Sequence, residues 1–318
     1  MKSSTQGASE VKTLADQLAL SDIPLRGGEV ADWEREANLL LAAAESANPS
    51  RSLDTLVAYR KRGVPLAYLV GTELFLGSEY ATETGVVIPH PASELLALAT
   101  AHALGGTTQP RPRLLEVGVG VGNITVSALA SVPTAEAHCS ELQGAALRLT
   151  QINASTLLDT PSRLRLYQAY DTEAIFEPFS RLPVAGVDVV AANPPYLIDG
   201  DPVSEATKRS GIAHFSYAPV NDPSWFLREI IEAPDGLLAE NCTILMECAD
   251  PYLEHHTRVM RDAGWNTEAY SRESYLNQFG VPMDRKVRTM TPSLHRLLHS
   301  WRGENRLTRA AATTDVAL

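Results

Sequence analysis

The tetrapeptide Asn193-Pro194-Pro195-Tyr196 gathers groups that can grip a planar amino group. A proline fixes its own φ and carries no N–H, so the carbonyls around such a pair lack a local donor. The Asn193 side-chain oxygen and the Pro194 carbonyl can then accept the two hydrogens of one NH2 group. The nitrogen lone pair stays free to attack, and Tyr196 offers a flat face to an amide or a ring. Pro195 completes the turn and closes the same acceptor-binding set. A grip of this kind suits an in-line displacement, in which the main task is alignment at about 3 Å. Asn193, Pro194 and Tyr196 are therefore the catalytic candidates.

A second constellation lies upstream, in Glu116-Val117-Gly118-Val119-Gly120-Val121-Gly122. Glycines at 118, 120 and 122 let the backbone turn sharply and approach a ligand closely. The spacing is G-x-G-x-G rather than the G-x-G-x-x-G of dinucleotide folds. Glu116 sits at the end of the preceding strand, and Glu141 follows the next one. A carboxylate at the latter place can accept both hydroxyls of a ribose that lacks a 2′-phosphate. No Gly-Lys-Ser/Thr phosphate loop accompanies the turn. An adenosine ribose without phosphates matches S-adenosylmethionine, a methyl donor. Asp171, after the third strand, is placed to accept the adenine amino group. The cofactor candidates are thus Glu116, Gly118, Gly120, Gly122, Glu141, Asp171 and Asn193.

These residues need a scaffold that brings strand ends together. From about residue 92 the chain alternates strand and helix patterns, with strands expected at 113–117, 135–140, 164–168, 187–192 and 243–247. That alternation predicts an α/β fold with a doubly wound, mostly parallel sheet. Segments 266–270 and 286–290 are expected to form an antiparallel pair at one edge. Residues 10–62 read as short helices interrupted at Gly27-Gly28, and such helices must pack together or on a larger body. Phe75, Tyr80, Val86, Val87 and Ile88, with Gly77 and Gly85, predict a β-hairpin linker. The expected organisation is a disordered lead-in (1–10), a helical N-terminal domain (11–73), the hairpin (74–91), the catalytic domain (92–291) and a basic helical tail (292–318). In that tail Leu294, Leu297, Leu298 and Trp301 fall on one helical face among Arg296, Arg302, Arg306 and Arg309.

Composition limits the partners. The 318 residues carry a net charge of −11, which argues against broad nucleic-acid affinity. The three cysteines, Cys139, Cys242 and Cys248, contain no CxxC pair and suit reduced thiols in the cytoplasm. The N-terminal segment has no apolar stretch of a secretory signal, and no apolar run is long enough to cross a membrane. His255-His256 and the His295/His299 pair lack a third ligand in motif spacing and read as surface histidines, so no metal is expected. Cys242 and Cys248 read as core, and Glu247, at a strand end, as a candidate wall of the acceptor pocket together with His90 and Tyr217.

With these motifs in place the chain resembles the HemK-like release-factor glutamine N5-methyltransferase family, over most of residues 35–290. The carriers are Glu36-Ala37-Asn38-Leu39-Leu40-Leu41-Ala42, the stretch 62–71 with Phe75, and Ile88-Pro89-His90-Pro91-Ala92-Ser93-Glu94, followed in order by the two motifs above. The resemblance implies a class I methyltransferase fold, Rossmann-like with seven strands, and S-adenosylmethionine as donor. It also implies that the Asn-Pro-Pro-Tyr segment grips the glutamine amide of a Gly-Gly-Gln loop in a release factor. The sequence departs from the family at His90, Ala92 and Ser93, where arginine, glutamate and threonine are usual. It departs again at Tyr217-Ala218-Pro219-Val220-Asn221-Asp222, which lacks the usual Gly-Gly. The altered walls leave a small-molecule acceptor as the alternative to a release-factor protein. A nucleic-acid base is disfavoured by the acidic charge and by the lack of a target-recognition domain. The oligomeric state is open.

Overall fold

The computed structural model describes residues 4–23, 31–46, 51–171, 175–180, 185–203, 208, 213–279, 295–303 and 305–308. Helix α1 (Ser4–Ala19) begins within the segment expected to be disordered. Leu14 and Leu18 lie on one stripe and are buried against Leu40 and Leu56, and this anchored half lets the helix propagate back toward Ser4. Helices α2 (Trp33–Ala44) and α3 (Leu53–Lys61) are capped by Asp32 and Ser52, whose side chains accept from the first-turn amides. Buried Arg60 clamps Glu36 through two hydrogen bonds of 2.7 and 3.0 Å, tying α3 to α2. The fork geometry of guanidinium on carboxylate makes that junction directional. The break expected at Gly27-Gly28 lies outside the described residues.

Helix α4 (Leu66–Val70) ends at Gly71 and leads into a hairpin of β1 (Thr72–Phe75) and β2 (Ser78–Ala81). Its two-residue turn places both Leu76 and Gly77 at positive φ, as the twist of a tight hairpin demands. Val86 and Ile88, expected as strand, are instead buried in an irregular segment. They are covered by packing rather than pairing: Val86 against Val121, Ala146 and Leu149, Ile88 against Ala67 and Tyr68. Asn153 links the hairpin to the glycine turn. It accepts from Ala81 N at 2.7 Å and donates to Val121 O at 2.8 Å.

The rest is a three-layer α/β body. Its elements are α5 (Glu94–Gly105), β3 (Arg113–Val117), α6 (Asn123–Ser131), β4 (Glu136–Glu141), α7 (Gly144–Leu157), β5 (Leu164–Gln168), α8 (Glu177–Ser180), β6 (Val187–Ala192), α9 (Trp225–Ile231), β7 (Leu238–Ala249), α10 (Leu253–Asp262), β8 (Asn266–Tyr270), α11 (Arg272–Phe279) and β9 (His295–Trp301). The strands form one sheet in the order β5-β4-β3-β6-β7-β9-β8. All neighbours are parallel up to β7, and β9 is antiparallel to both β7 and β8. Every residue of β6 is buried, which is why it reads as an unbroken apolar run apart from Asp188. Strands β3 and β6 are adjacent and central, so the loops after Val117 and Ala192 emerge side by side.

The C-terminal reading changes most. Residues 295–301 are a strand inside the sheet, not a helix docked outside it, so the body extends past residue 291. Leu297 packs into the core on one face of the sheet and Leu298 into the core on the other. A strand covered on both faces has apolar residues side by side, and here that run coincides with helical spacing. The partner of β8 is thus β9, while 286–290 lies outside the described residues. The basic residues are engaged within the fold. Arg296 pairs with Asp250 at 3.0 Å, Arg306 pairs with buried Asp188 at 3.1 Å, and Arg302 lies over the Trp265 ring at 4.2 Å. Arg309 lies outside the described residues. No helix among the described residues is long and apolar enough to cross a membrane.

Candidate active site

A single cavity of about 330 Å³ runs along the carboxyl ends of β3, β4 and β6. One end is lined by Glu116, Gly118, Gly120, Glu141, Leu142 and Gln143, the other by Asn193, Pro194, Pro195, Phe215, Tyr217 and Phe226. The glycine turn and the Asn-Pro-Pro segment are therefore brought together, as two loops leaving neighbouring parallel strands must be.

The three glycines divide in role. Gly118 and Gly120 line the cavity at φ +71 and +57, and a Cβ at either would meet no protein atom within 4 Å. They leave open room for a ligand against bare backbone. Gly122 does not line the cavity. A Cβ there would come within 2.7 Å of Thr150 Cγ2, so this glycine serves the close approach of α6 to α7 rather than a ligand. Glu141 reaches the cavity, but its carboxylate is folded onto backbone amides. It accepts from Gly120 N at 2.9 Å, Leu142 N at 2.8 Å and Gln143 N at 3.0 Å. It thus braces the glycine turn from the neighbouring strand while lining the cavity. Glu116 is fully buried and accepts from both the amide (3.1 Å) and the hydroxyl of Thr125 in α6. Burial pushes its carboxyl up to about 8 in spite of those bonds. Asp171 is not brought to the site: it is exposed, and Ile175 lines the cavity beyond it.

On the other side, Asn193 Nδ2 donates to Ser93 Oγ at 2.9 Å, and Ser93 Oγ donates to Glu247 Oε2 at 2.6 Å. Glu247 Oε1 accepts from His295 Nδ1 at 2.5 Å. Burial alone would raise the Glu247 carboxyl, but the hydrogen bond and charge of His295 and the Ser93 hydroxyl hold it below its ordinary value. Burial would lower His295, and Glu247 reverses this and raises it. His90 lines the cavity and stacks on His295, with ring centroids 6.0 Å apart. Tyr196 departs from expectation. Its ring meets His295 edge-on at 5.8 Å and does not line the cavity, because the chain turns away after Pro195 to pair Leu197 with Tyr217. Glu247 likewise stands behind Ser93 instead of forming the cavity wall. Tyr217 does line it.

The turn that lacks Gly-Gly keeps glycine-like backbone. Val220 and Asn221 have φ of 48° and 58°, and Asn221 Oδ1 accepts from Asp199 N at 2.7 Å. His295 and His299 lie on β9, not on a helix, and His299 is fully buried. Among the described residues no three His, Cys, Asp or Glu side chains gather as a metal site. The three thiols are buried, which pushes Cys242 and Cys248 up to about 12 and makes them poor nucleophiles at neutral pH. Sequence reasoning did not find the roles of Ser93 and His295. Ser93 stood out only as a departure within 88–94, and His295 lay in the segment taken as helix.

The chain is 33% identical over 222 residues to the release factor glutamine methyltransferase of Bordetella pertussis, a match covering 68% of this chain and 76% of that one. It is 36% identical over 151 residues to the release factor glutamine methyltransferase of Burkholderia pseudomallei, over 46% of this chain and 50% of that one. Among solved structures, the precorrin-6y C5,15-methyltransferase from Geobacter metallireducens GS-15 superposes with a TM-score of 0.44 at 15% identity, covering 70% of this chain and 94% of that chain. No protein-family model matches the chain.

Proposed function

Given that the chain belongs to the release factor glutamine methyltransferase family, we propose that it transfers a methyl group from S-adenosylmethionine to the side-chain amide nitrogen of a glutamine in a release factor. The observation that carries this reading is the single cavity shared by Gly118, Gly120 and Glu141 at one end and Asn193 and Pro194 at the other. The open backbone at Gly118 and Gly120 fits a nucleoside donor. Glu141 would hold the ribose. When bound, the donor would supply an electrophilic methyl group, its sulfonium leaving as a neutral thioether, while one of the two hydrogens of the acceptor nitrogen departs as a proton.

The protein's own part is binding and alignment. An amide nitrogen is a weak nucleophile because its lone pair is delocalised into the carbonyl. Asn193 Oδ1 and the Pro194 carbonyl would each accept one hydrogen of the NH2 group, fixing the nitrogen's orientation toward the donor. Phe215, Pro219 and Phe226 surround that end of the cavity with apolar surface, which excludes water and strengthens the two hydrogen bonds. The test offers purified release factors and methyl-labelled donor, and follows label and mass gain on the Gly-Gly-Gln peptide. Label on the glutamine is expected. Tight donor binding without methylation of any release factor would overturn the acceptor assignment and favour a small-molecule acceptor.

A further inference from the structure

We propose that Glu247, Ser93 and His295 are positioning residues that set the direction of the Asn193 carboxamide, presenting its oxygen and not its NH2 to the acceptor. The inference rests on the acceptor-side reading above and adds to it the reason why Asn193 faces the right way. A carboxamide has nearly the same shape when flipped, so packing alone does not choose between Oδ1 and Nδ2. The choice belongs to the hydrogen-bond network.

Here the count of hydrogens decides it. An ionised carboxylate accepts only. Glu247 is 4% exposed and holds the ring nitrogen of His295 at 2.5 Å on one oxygen and Ser93 Oγ at 2.6 Å on the other. Ser93 has one hydroxyl hydrogen, and Glu247 takes it. Toward Asn193, then, Ser93 can only accept. Asn193 must turn Nδ2 to Ser93, at 2.9 Å, and Oδ1 is left for the cavity. His295 matters because it sustains the charge on Glu247. A neutral partner in place of that carboxylate could donate to Ser93, whose own hydrogen would then point at Asn193 and favour the flipped carboxamide. A flipped Asn193 would present N–H groups to an acceptor NH2, donor against donor.

The segments joined in this way are remote in sequence. Ser93 stands between the hairpin linker and α5, Asn193 follows β6, Glu247 is in β7 and His295 opens β9. Tyr196 packs edge-on against the His295 ring, with its hydroxyl 3.4 Å from His295 Nε2.

The experiment compares the wild type with Ser93→Ala, Ser93→Thr and Glu247→Gln in the full chain. The first measurement is kcat, KM for the release factor and donor affinity. Ser93→Ala and Glu247→Gln are expected to lower kcat by about tenfold or more while donor affinity stays within about twofold. Ser93→Thr, which keeps the single hydroxyl, should restore kcat. Glu247→Gln is the sharper variant, since it nearly preserves shape while it removes the charge facing His295 and gives the side chain an N–H that can donate to Ser93. The second measurement needs no acceptor. The side-chain 15N–1H pair of Asn193, assigned by its loss in Asn193→Ala, is compared between wild type and Ser93→Ala, and a clear shift is expected. A wild type that methylates while both variants stay within about twofold in kcat overturns the positioning role. An unmoved Asn193 signal overturns the contact itself. A wild type that fails on every release factor removes the acceptor assignment, and the amide signal then decides the positioning chain alone.

Discussion

Glu116 and Glu247 are two buried carboxylates near the carboxyl ends of strands in one sheet, and they behave in opposite ways. Glu116, on the donor side, accepts from a neutral amide and a neutral hydroxyl of Thr125, and burial wins, pushing it up to about 8. Glu247, on the acceptor side, has a histidine against one oxygen and a hydroxyl on the other, and these overcome the same burial to hold it below its usual value. The lesson is that depth in the sheet does not set the charge. The donor side is built from local backbone contacts that leave its carboxyl near neutral. The acceptor side is built around a charge sustained by a residue from another strand.

The largest effects should come from removing these carboxylates. Glu247→Ala takes away the counter-charge that keeps the His295 imidazole protonated against burial, and leaves Ser93 without its acceptor. Breaking such a buried pair costs about 3–5 kcal/mol of stability, readable by urea denaturation at neutral pH. The pair's contribution has a window. Glu247 is depressed, so its share is present above the ordinary carboxyl range and is lost as pH falls through its folded value. His295 is raised, so its share is lost as pH rises through a value above the ordinary imidazole range. Glu116 has the reverse sign. Its raised value means that stability is full below the ordinary carboxyl range and falls as pH rises toward about 8. Glu116→Gln should therefore stabilise the ligand-free protein, and the gain should grow from pH 5 to pH 8. A gain that is flat across that range would mean that Glu116 is already ionised at low pH, and the contrast between the two sides would collapse.

Next in size is Asn193→Ala, which removes the acceptor grip and leaves the donor end of the cavity intact. Loss of one positioning group costs about a hundredfold in kcat, while donor affinity measured by calorimetry should hold. An equal fall in both would place Asn193 on the donor instead. Glu141→Ala is the converse. It should weaken donor affinity by about 1–3 kcal/mol, the worth of hydrogen bonds to a charged group, and the glycine turn would also lose the brace on Gly120 N. Unchanged donor affinity would overturn the ribose assignment.

The same contrast explains what could be read from the sequence. The donor side is one strand-turn-helix-strand unit, so its glycines and Glu141 stand in order along the chain and local rules find them. What those rules missed was the division of labour within it. Gly122 meets a helix, a fact that depends on Thr150 in α7, and Asp171 is exposed and does not line the cavity. The acceptor side is made of Ser93, Asn193, Glu247 and His295, with the first two 100 positions apart and Ser93 and Glu247 154 positions apart. No periodicity reports a pairing of that range. The strand holding His295 was hidden further because Leu297 and Leu298 serve opposite faces, a pattern that helical spacing also satisfies. Tyr196 was misplaced for a related reason: the motif fixes the chain through Pro195, and the direction afterwards is set by Tyr217.

The smallest expected effect tests whether the two sides differ in how they hold left-handed backbone. The donor side places glycine at each such position, with φ of 71°, 57° and 83° at residues 118, 120 and 122. The acceptor side places Val220 and Asn221 at 48° and 58°. Asn221 is suited to this region, and its side chain accepts from Asp199 N. Val220 is not: a β-branched residue there crowds its own backbone, and its side chain is 76% exposed, so little burial offsets the strain. Val220→Gly should relieve that crowding, worth about 1–2 kcal/mol, against about 0.5–1 kcal/mol of added unfolded-state freedom. The net expectation is a gain of about 0.5–1 kcal/mol in unfolding free energy, read as a higher urea midpoint. Asn221→Gly serves as the control, since it relaxes a tolerated residue and deletes a hydrogen bond, and it should not stabilise. If Val220→Gly instead destabilises the protein, the turn is not strained. Pro219, which lines the acceptor end of the cavity, would then be held by the Val220 side chain rather than by the backbone around it.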